Sequence, residues 1–439
     1  MWTYHPALLE RAVPRYTSYP TAAEFRSDVG AAEIAEALDA IPARAPLSLY
    51  VHIPYCHEIC SYCGCNTGRA NRSHRLAAYL EALDAEIDLV ANRLSGRGVV
   101  SRIAFGGGSP NSIAPLDFVR LVDRLTTRFR ASAPVISVEI DPRTLDAAWL
   151  GTLRTVGVQR VSLGVQTFDP AIQDAIGRVQ PDAMIARAVA GFRDAGVGSI
   201  NFDLMYGLPG QTIADVERSA TRAIELGADR IALFGYAHLP SMFPRQRRID
   251  ATALPDAALR FRQAAAGHDL FVAAGYVPVG FDHFARPDDA LAIAARAGTL
   301  RRNFQGFTED GSRHLIGFGA SAISEFPELL TQNQKNAGAY RETVTAGRLP
   351  VERGIRRDQQ ELARARVIEQ LLCAGRARTG RALLQAARPA LDIFAQRDLL
   401  RIEGDQIELA ADALPYARSI AACFDGHRPA SEGRFSNAI

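Results

Sequence analysis

At 439 residues the chain is long enough for one large α/β unit with appendages, and 48% hydrophobic against 22% charged residues excludes disorder over most of its length. Fifty basic residues face 48 acidic ones, a formal +2, too even for a protein that holds a phosphate backbone, so nucleic acid is not expected as a partner. The first twenty residues lack a basic start followed by an apolar run, and no stretch approaches eighteen consecutive apolar residues, so the expectation is a cytoplasmic protein without a membrane segment.

Residues 1–45 read as an N-terminal cap segment. From 46 to 240 short β-rich runs alternate with amphipathic stretches: LSLYVHI (47–53), VVSRIAFGGG (99–108), VISVEIDP (135–142), RVSLGVQT (160–167), SINFDLMYG (199–207) and RIALFGYAHL (230–239). Leu76, Tyr79, Leu80, Leu83 and Ile87 form one helical stripe, and Phe118, Leu121, Val122 and Leu125 another. Strand and helix in alternation predict an α/β fold with a parallel sheet, a partial (β/α)6 TIM-like barrel whose working residues lie at the C-terminal strand ends. A doubly wound open sheet satisfies the same periodicity. Residues 241–347, rich in glycine, aromatic and polar side chains, are expected to pack beside the barrel. Residues 348–439 predict a small, mostly helical domain: helices at RDQQELARARVIEQLLC and at 383–394, a hairpin around Gly404, and a last helix near 411–423.

Four of the six cysteines crowd into ten positions directly after the first strand: Cys56, Cys60, Cys63 and Cys65, spaced C-x3-C-x2-C-x-C. The paired layout of structural zinc sites is absent, and so is the two-residue spacing of bacterial ferredoxins. Three thiolates on one tight loop can hold three irons of a [4Fe–4S] cube and leave the fourth open; packing or zinc-binding cysteines are the alternative. His52 and His57 flank the loop and are expected beside the metal rather than on it. Cys373 and Cys423 sit among apolar neighbours and read as packing residues.

With Tyr62 before the third cysteine, this spacing resembles the signature of radical S-adenosylmethionine (SAM) enzymes, and GGGSP at Gly106–Pro110 resembles their GGGTP element. A narrower resemblance runs along nearly the whole chain. RYTSYPT (15–21), LYVHIPYC, CGCN, VEIDPR, GVQTF, DLMYGLPGQT, YAHLP, DHFARPDD, RNFQGFT, SAIS and QNQK are similar to segments of the oxygen-independent coproporphyrinogen III oxidases, also called dehydrogenases. Heme-carrying chaperones of the superfamily share much of this pattern but lack Cys65 and RYTSYPT.

The resemblance implies that Cys56, Cys60 and Cys63 ligate the cluster while Cys65 does not. It implies two SAM molecules, contacted by Tyr50, Tyr62, Gly107, Gly108, Ser109, Glu139, Gln166, Arg178, Asp203, Ala237 and Ile323, with Tyr50 and Glu139 as candidate catalytic residues. The implied chemistry is oxidative decarboxylation of two propionates of coproporphyrinogen III to vinyls, giving protoporphyrinogen IX by a 5′-deoxyadenosyl radical, in a monomer fed by an electron donor of unknown identity. Independently of the resemblance, Glu139, Gln166 and Asp203 are polar groups inside otherwise apolar strands, where they need a ligand or a partner. Gly106–Gly108 let the backbone approach a ligand without Cβ interference, and their amides can bind the methionine end of SAM. Arg15 and Arg302, each in an aromatic-rich segment, are expected to receive substrate carboxylates.

Overall fold

The computed structural model describes residues 2–70 and 73–428. All six expected strands form: β1 (Pro46–Ile53), β2 (Val99–Gly107), β3 (Val135–Ile140), β4 (Arg160–Gln166), β5 (Ser199–Tyr206) and β6 (Arg230–Gly235). They lie side by side in that order and are parallel throughout. The crossovers are α1 (Ser73–Leu94), α2 (Pro115–Arg128), α3 (Ala147–Val156), α4 (Asp182–Asp194) and α5 (Ile213–Glu225), with α6 (Ala257–Ala273) following β6. Their boundaries are written in the sequence. Asp146 caps α3 through the Trp149 amide, Thr212 and Asp215 form a reciprocal box at the start of α5, and Gly157 ends α3 in the left-handed region. The stripes at Phe118, Leu121, Val122 and Leu125 and at Tyr79, Leu83 and Ile87 are buried against the sheet.

The sheet does not close. β7 (Val277–Val279) and β8 (His283–Ala285) add antiparallel strands beyond β6, and a separate hairpin follows from β9 (Arg301–Asn303) and β10 (Gly306–Thr308). On the opposite edge β11 (His314–Phe318) runs parallel to β1 and is continued by antiparallel β12 (Ile323–Phe326), β13 (Leu329–Asn333) and β14 (Val351–Arg356). Residues 241–347 therefore do more than pack beside the barrel: they extend its sheet at both edges. Strands of three to five residues are too short to show alternation, which hid them. β14 begins beyond the change in composition at 348, so the sheet crosses that boundary.

The hairpin and the residues after it block one end of the half-barrel. Glu309 meets Arg102 of β2 at 2.6 Å, Arg160 of β4, and Arg230 of β6 at 3.8 Å, while Asp310 accepts from Ser48. Above this plug is a cavity of ≈340 Å³ that Glu139 and Asp203 also line. The N-terminal segment lies across the open side. Arg302 donates to the carbonyls of Tyr16 (3.1 Å) and Arg15 (3.0 Å), the Tyr16 hydroxyl donates to Asp425 (2.9 Å), and the Gly426 amide donates to the Tyr19 hydroxyl (2.8 Å).

In the C-terminal region α7 (Gln359–Ala374) and α8 (Arg381–Ala395) pack with β15 (Arg376–Arg378), β16 (Leu400–Glu403) and β17 (Gln406–Leu409), the last two joined at Gly404. The last expected helix is broken into a 3-10 turn at Ala411–Tyr416, one turn of α-helix at Ala417–Ala421 and a second 3-10 turn, because Pro415 cannot supply an interior amide. No helix among the described residues is long and apolar enough to cross a membrane.

Burial alone would raise the Glu309 carboxyl, but Arg160, Arg230 and Arg102 outweigh it and bring it from 4.5 to about 2. A depressed carboxyl stabilises the fold above its unfolded value, and that contribution, on the order of 3 kcal/mol here, is lost as pH falls through the folded one. Glu309→Gln is expected to lower stability by about that much at neutral pH and to flatten the acid limb of the pH profile, read from urea midpoints. An acid limb as steep as that of the wild type would show that the plug does not carry it.

Candidate active site

The cysteine loop leaves β1 at Ile53 and is closed by a two-residue parallel bridge, Tyr55–Cys56 against Gly68–Arg69. All four thiols are free; Cys60 is buried, Cys56 and Cys63 are half-buried, and Cys65 is exposed. Two guanidinium groups back Cys60, since Arg178 Nη1 and Arg143 Nη2 each lie 3.4 Å from its sulfur. The Cys65 amide donates to Cys63 Sγ at 3.3 Å. Hydrogen bonds from the Cys65 thiol and amide bring Cys63 down to about 6 against the effect of burial, whereas burial and the neighbouring anions push Cys56 up to about 12. One loop thus holds two differently poised thiols within reach of cationic charge.

The turn after β2 packs directly on this loop. A Cβ on Gly108 would lie 2.6 Å from the Tyr55 carbonyl, and one on Gly107, at φ +114°, 2.7 Å from His52 Cε1. These glycines are required by contact with protein. The amides of the turn bond to protein: Gly107 donates to Glu139 Oε2 (3.1 Å), Gly108 to the Ile53 carbonyl (2.8 Å) and Ser109 to the Tyr55 carbonyl (2.8 Å). The reason is proximity, since β2 neighbours β1 and the turn has the loop's own backbone to bond.

Glu139 opens into the barrel cavity, on the face of β3 opposite Val138 and Ile140, as alternation requires. Burial and then the charge of Asp203 raise its carboxyl to about 7, with the Gly107 amide opposing. Asp203 on β5, also raised by burial, accepts from Ser162 (2.9 Å) and Asn201 (2.8 Å). Gln166 ends β4 at φ +67°, a left-handed conformation for a non-glycine residue, where the register with β5 slips. Arg178 is buried and reaches the Gly164 carbonyl (3.0 Å), Gln180 (3.1 Å), Cys60 and Asp141 (3.5 Å). Burial opposes its charge, but Tyr62, Asp141 and Cys60 outweigh that. Asp141 also takes Arg143 at 2.6 Å, so a buried ion cluster ties the loop to the ends of β3 and β4.

On β1 the Tyr50 hydroxyl is 3.1 Å from His52 Nδ1, and its ring meets Phe304 edge-on at 4.7 Å. His52, held down at about 4 by burial, also faces Ser321 at 3.4 Å, while His57 is exposed. Ser321 belongs to the turn that leads to Ile323 at the start of β12. Tyr62 and Ala237 are joined through Gln246, whose amide donates to both carbonyls, at 2.8 and 3.1 Å.

Sequence reasoning missed Gln246, hidden in an arginine-rich 3-10 turn with no signal of its own. It also missed Glu86, whose carboxylate accepts from the Gly319 amide, the Tyr340 hydroxyl and Asn333, each at 2.7 Å. Its signal was present, because Glu86 falls seven residues after Tyr79 on the buried stripe of α1. Of the two arginines expected to meet substrate, Arg15 donates to the Gly235 carbonyl (2.8 Å) and lies over Phe234; Arg302 spends two of its three nitrogens on the N-terminal backbone. Packing that segment takes part of each guanidinium and leaves Arg302 Nη1 without a partner among the described residues.

The model of the radical SAM superfamily matches residues 50–223. The chain is 42% identical to the oxygen-independent coproporphyrinogen III oxidase of Bradyrhizobium diazoefficiens, covering 98% of both chains, and 39% identical to that of Pseudomonas aeruginosa, covering 97% of this chain and 96% of the relative. The solved coproporphyrinogen III oxidase of Escherichia coli, described as a radical SAM enzyme, superposes with a TM-score of 0.91 at 36% identity over 97% of this chain and all of that one. The chain belongs to the oxygen-independent coproporphyrinogen III oxidase family. Membership of the radical SAM superfamily implies a [4Fe–4S] cluster and SAM, and the residues present suit them. The donors are soft thiols on one loop with cations behind them, and two raised carboxylates face a cavity.

A carboxyl raised above its unfolded 4.5 costs the folded protein stability as pH climbs through about 7. In the protein before cofactor loading, Glu139→Gln is expected to shrink the fall in melting temperature between about pH 5 and about pH 8. An equal fall in variant and wild type would mean that Glu139 has a counter-charge.

Proposed function

We propose that the protein carries out the oxygen-independent oxidative decarboxylation of two propionates of coproporphyrinogen III, giving protoporphyrinogen IX. The observation that carries this is the convergence at one barrel end of the cysteine loop, Arg178 and the cavity carboxylates, in a chain aligned end to end with oxidases of that name. Cys56, Cys60 and Cys63 hold the [4Fe–4S] cluster, and Cys65 stays outside it, its amide directed at the Cys63 sulfur. Tyr50, Tyr62, Gly107, Gly108, Ser109, Glu139, Gln166, Arg178, Asp203, Ala237 and Ile323 contact two SAM molecules. When bound, cluster and SAM supply the one-electron chemistry that begins hydrogen removal from a propionate β-carbon.

The chain's own work is placement and exclusion. Glu139 and Asp203 offer negative charge to a cationic ligand; Tyr50 and Glu139 stand nearest the reacting region. Arg178 keeps positive charge beside a thiolate, and the Glu309 plug with the N-terminal segment keeps water out. The protein acts as a cytoplasmic monomer supplied by a one-electron donor. Anaerobic incubation of reconstituted protein with SAM, reductant and coproporphyrinogen III, followed by pigment chromatography, tests the reading. Vinyl products are expected; tetrapyrrole bound without turnover would make the protein a carrier instead.

Serine at Cys56, Cys60 or Cys63 is expected to abolish the brown cluster absorbance on reconstitution, while Cys65→Ser keeps it. Equal iron loss in all four would overturn the ligand assignment. Glu139→Gln is expected to weaken SAM roughly thirtyfold to several thousandfold, the effect of removing one partner of a desolvated charged contact. The check is the change in the cluster's paramagnetic resonance spectrum as SAM is titrated, and an unshifted titration removes Glu139 from the SAM shell.

A further inference from the structure

Beside the barrel cavity lies a second cleft of ≈270 Å³. Tyr16 and Tyr19 of the N-terminal segment roof it, Leu315 of β11 and Glu325 of β12 form one wall, and α7 forms another. Asn303, Thr308 and Asp310 line both spaces, so the β9–β10 hairpin and its exit are the partition between them. Leu315 packs in the same small cluster as Tyr50 and Phe304, which places the cleft next to the reacting region.

Five arginines line it: Arg301, Arg302, Arg313, Arg357 and Arg366. The three acids present are already engaged. Glu369 takes Arg301 at 3.3 Å, Glu325 takes Arg357 at 3.2 Å, and Asp310 accepts from Ser48 and lies 3.6 Å from Arg102. Among the described residues no acid comes within 4 Å of Arg302, Arg313 or Arg366, and the counter-charge that acts most on Arg302 is Asp282, outside the cleft lining.

Arg302 is only 9% exposed and stacks on Phe307 (4.3 Å) and Phe281 (5.0 Å). Its Nε and Nη2 are spent on backbone, but Nη1 is buried and has no partner among the described residues; Arg357 Nε, in an equally buried side chain, is in the same state. Buried donors are rarely left so. An anionic ligand supplies the acceptor these two lack, and a planar fork of guanidinium donors matches a carboxylate.

We infer that this cleft is the subsite for the carboxylates of the tetrapyrrole that are not reacting, with Arg302 as anchor and Arg313 and Arg366 at its rim. The inference rests on the proposed function, whose substrate carries four propionates. A space of this size takes one propionate-bearing edge of such a substrate.

The test uses the full reconstituted chain and coproporphyrin III, the oxidised porphyrin that cannot react, with its tetramethyl ester as the uncharged control. Affinities come from fluorescence titration. Arg313 and Arg366 are exposed, so the double variant Arg313→Gln, Arg366→Gln is expected to fold; Arg302→Lys keeps the charge and loses the fork. Each is expected to bind the tetra-acid about tenfold more weakly or worse, with the ester unchanged, and the difference should narrow as salt is raised. Tetra-acid affinity equal to wild type in both variants overturns the subsite and leaves the functional reading standing. Equal weakening of acid and ester also overturns it, because a loss of shape does not distinguish charge. If the wild-type protein binds neither porphyrin, the functional reading falls first and the subsite with it.

Discussion

A parallel sheet that stops after six strands has an interior that must be polar enough to hold charged ligands and dry enough for reactive ones. The two demands conflict, because polar groups without ligands invite water. In this chain the conflict is met by covering. Parallel β11 covers the flank of β1 and antiparallel β8 that of β6, so neither strand has an unpaired flank. The hairpin of residues 301–308 then stands in the remaining gap, and Glu309 fastens its exit to arginines from three of the six strands. Arg302, from the same hairpin, fastens the N-terminal segment over the outside. The closure therefore combines this network of charge with apolar side chains of the N-terminal segment, Leu8, Leu9 and Val13 among them, that are buried in the main core.

The end of the barrel where the cysteine loop sits is organised the other way. There charge is left incompletely balanced. Burial raises both Glu139 and Asp203, and Asp203 adds to the cost of ionising Glu139, while Arg178 and Arg143 stand against Cys60 with Asp141 between. Such an arrangement is poorly satisfied without ligands and well satisfied with a cation beside the carboxylates and anionic sulfur beside the arginines. Stability given up at this end is offset elsewhere, in the plug and in a core that runs continuously from β1 to the C-terminal region.

The six parallel strands and their helices were legible because buried parallel strands are apolar runs and their crossovers carry a stripe every three or four residues. The C-x3-C-x2-C loop was legible because its spacing is a chemical statement in itself. Edge strands such as Val277–Val279 and Arg301–Asn303 were not, since three residues have no period. The glycine turn was legible as a close approach, but what approaches is Tyr55 and His52, a fact of three-dimensional adjacency. Arg15 and Arg302 show a related limit: an arginine beside aromatics reads as a ligand for anions, and nothing in the sequence tells that part of each guanidinium also answers a backbone carbonyl. Glu86 is the instructive omission. A lone carboxylate on an apolar stripe reads as a tolerated exception until its three donors, from residues 319, 333 and 340, are brought to it by folding.

That carboxylate also explains how a turn far along the chain becomes part of the site. Gly319 approaches Tyr79 and the His52 carbonyl too closely for any side chain, and Ser321, at φ +64°, follows it. A strained turn of this kind holds its shape only when its backbone groups are bound from outside. Glu86 takes the Gly319 amide, and the Tyr79 hydroxyl accepts from the Ala320 amide while donating to the His52 carbonyl. Both residues belong to α1, the helix that the cysteine loop runs into. The same helix therefore fixes the strand end that carries Tyr50 and His52 and the turn that delivers Ser321 to the far side of the His52 ring. With the imidazole gripped between Tyr50 and Ser321 and pressed on Gly107, three segments distant in sequence share one rigid wall, and the cysteine loop is anchored to it at both ends.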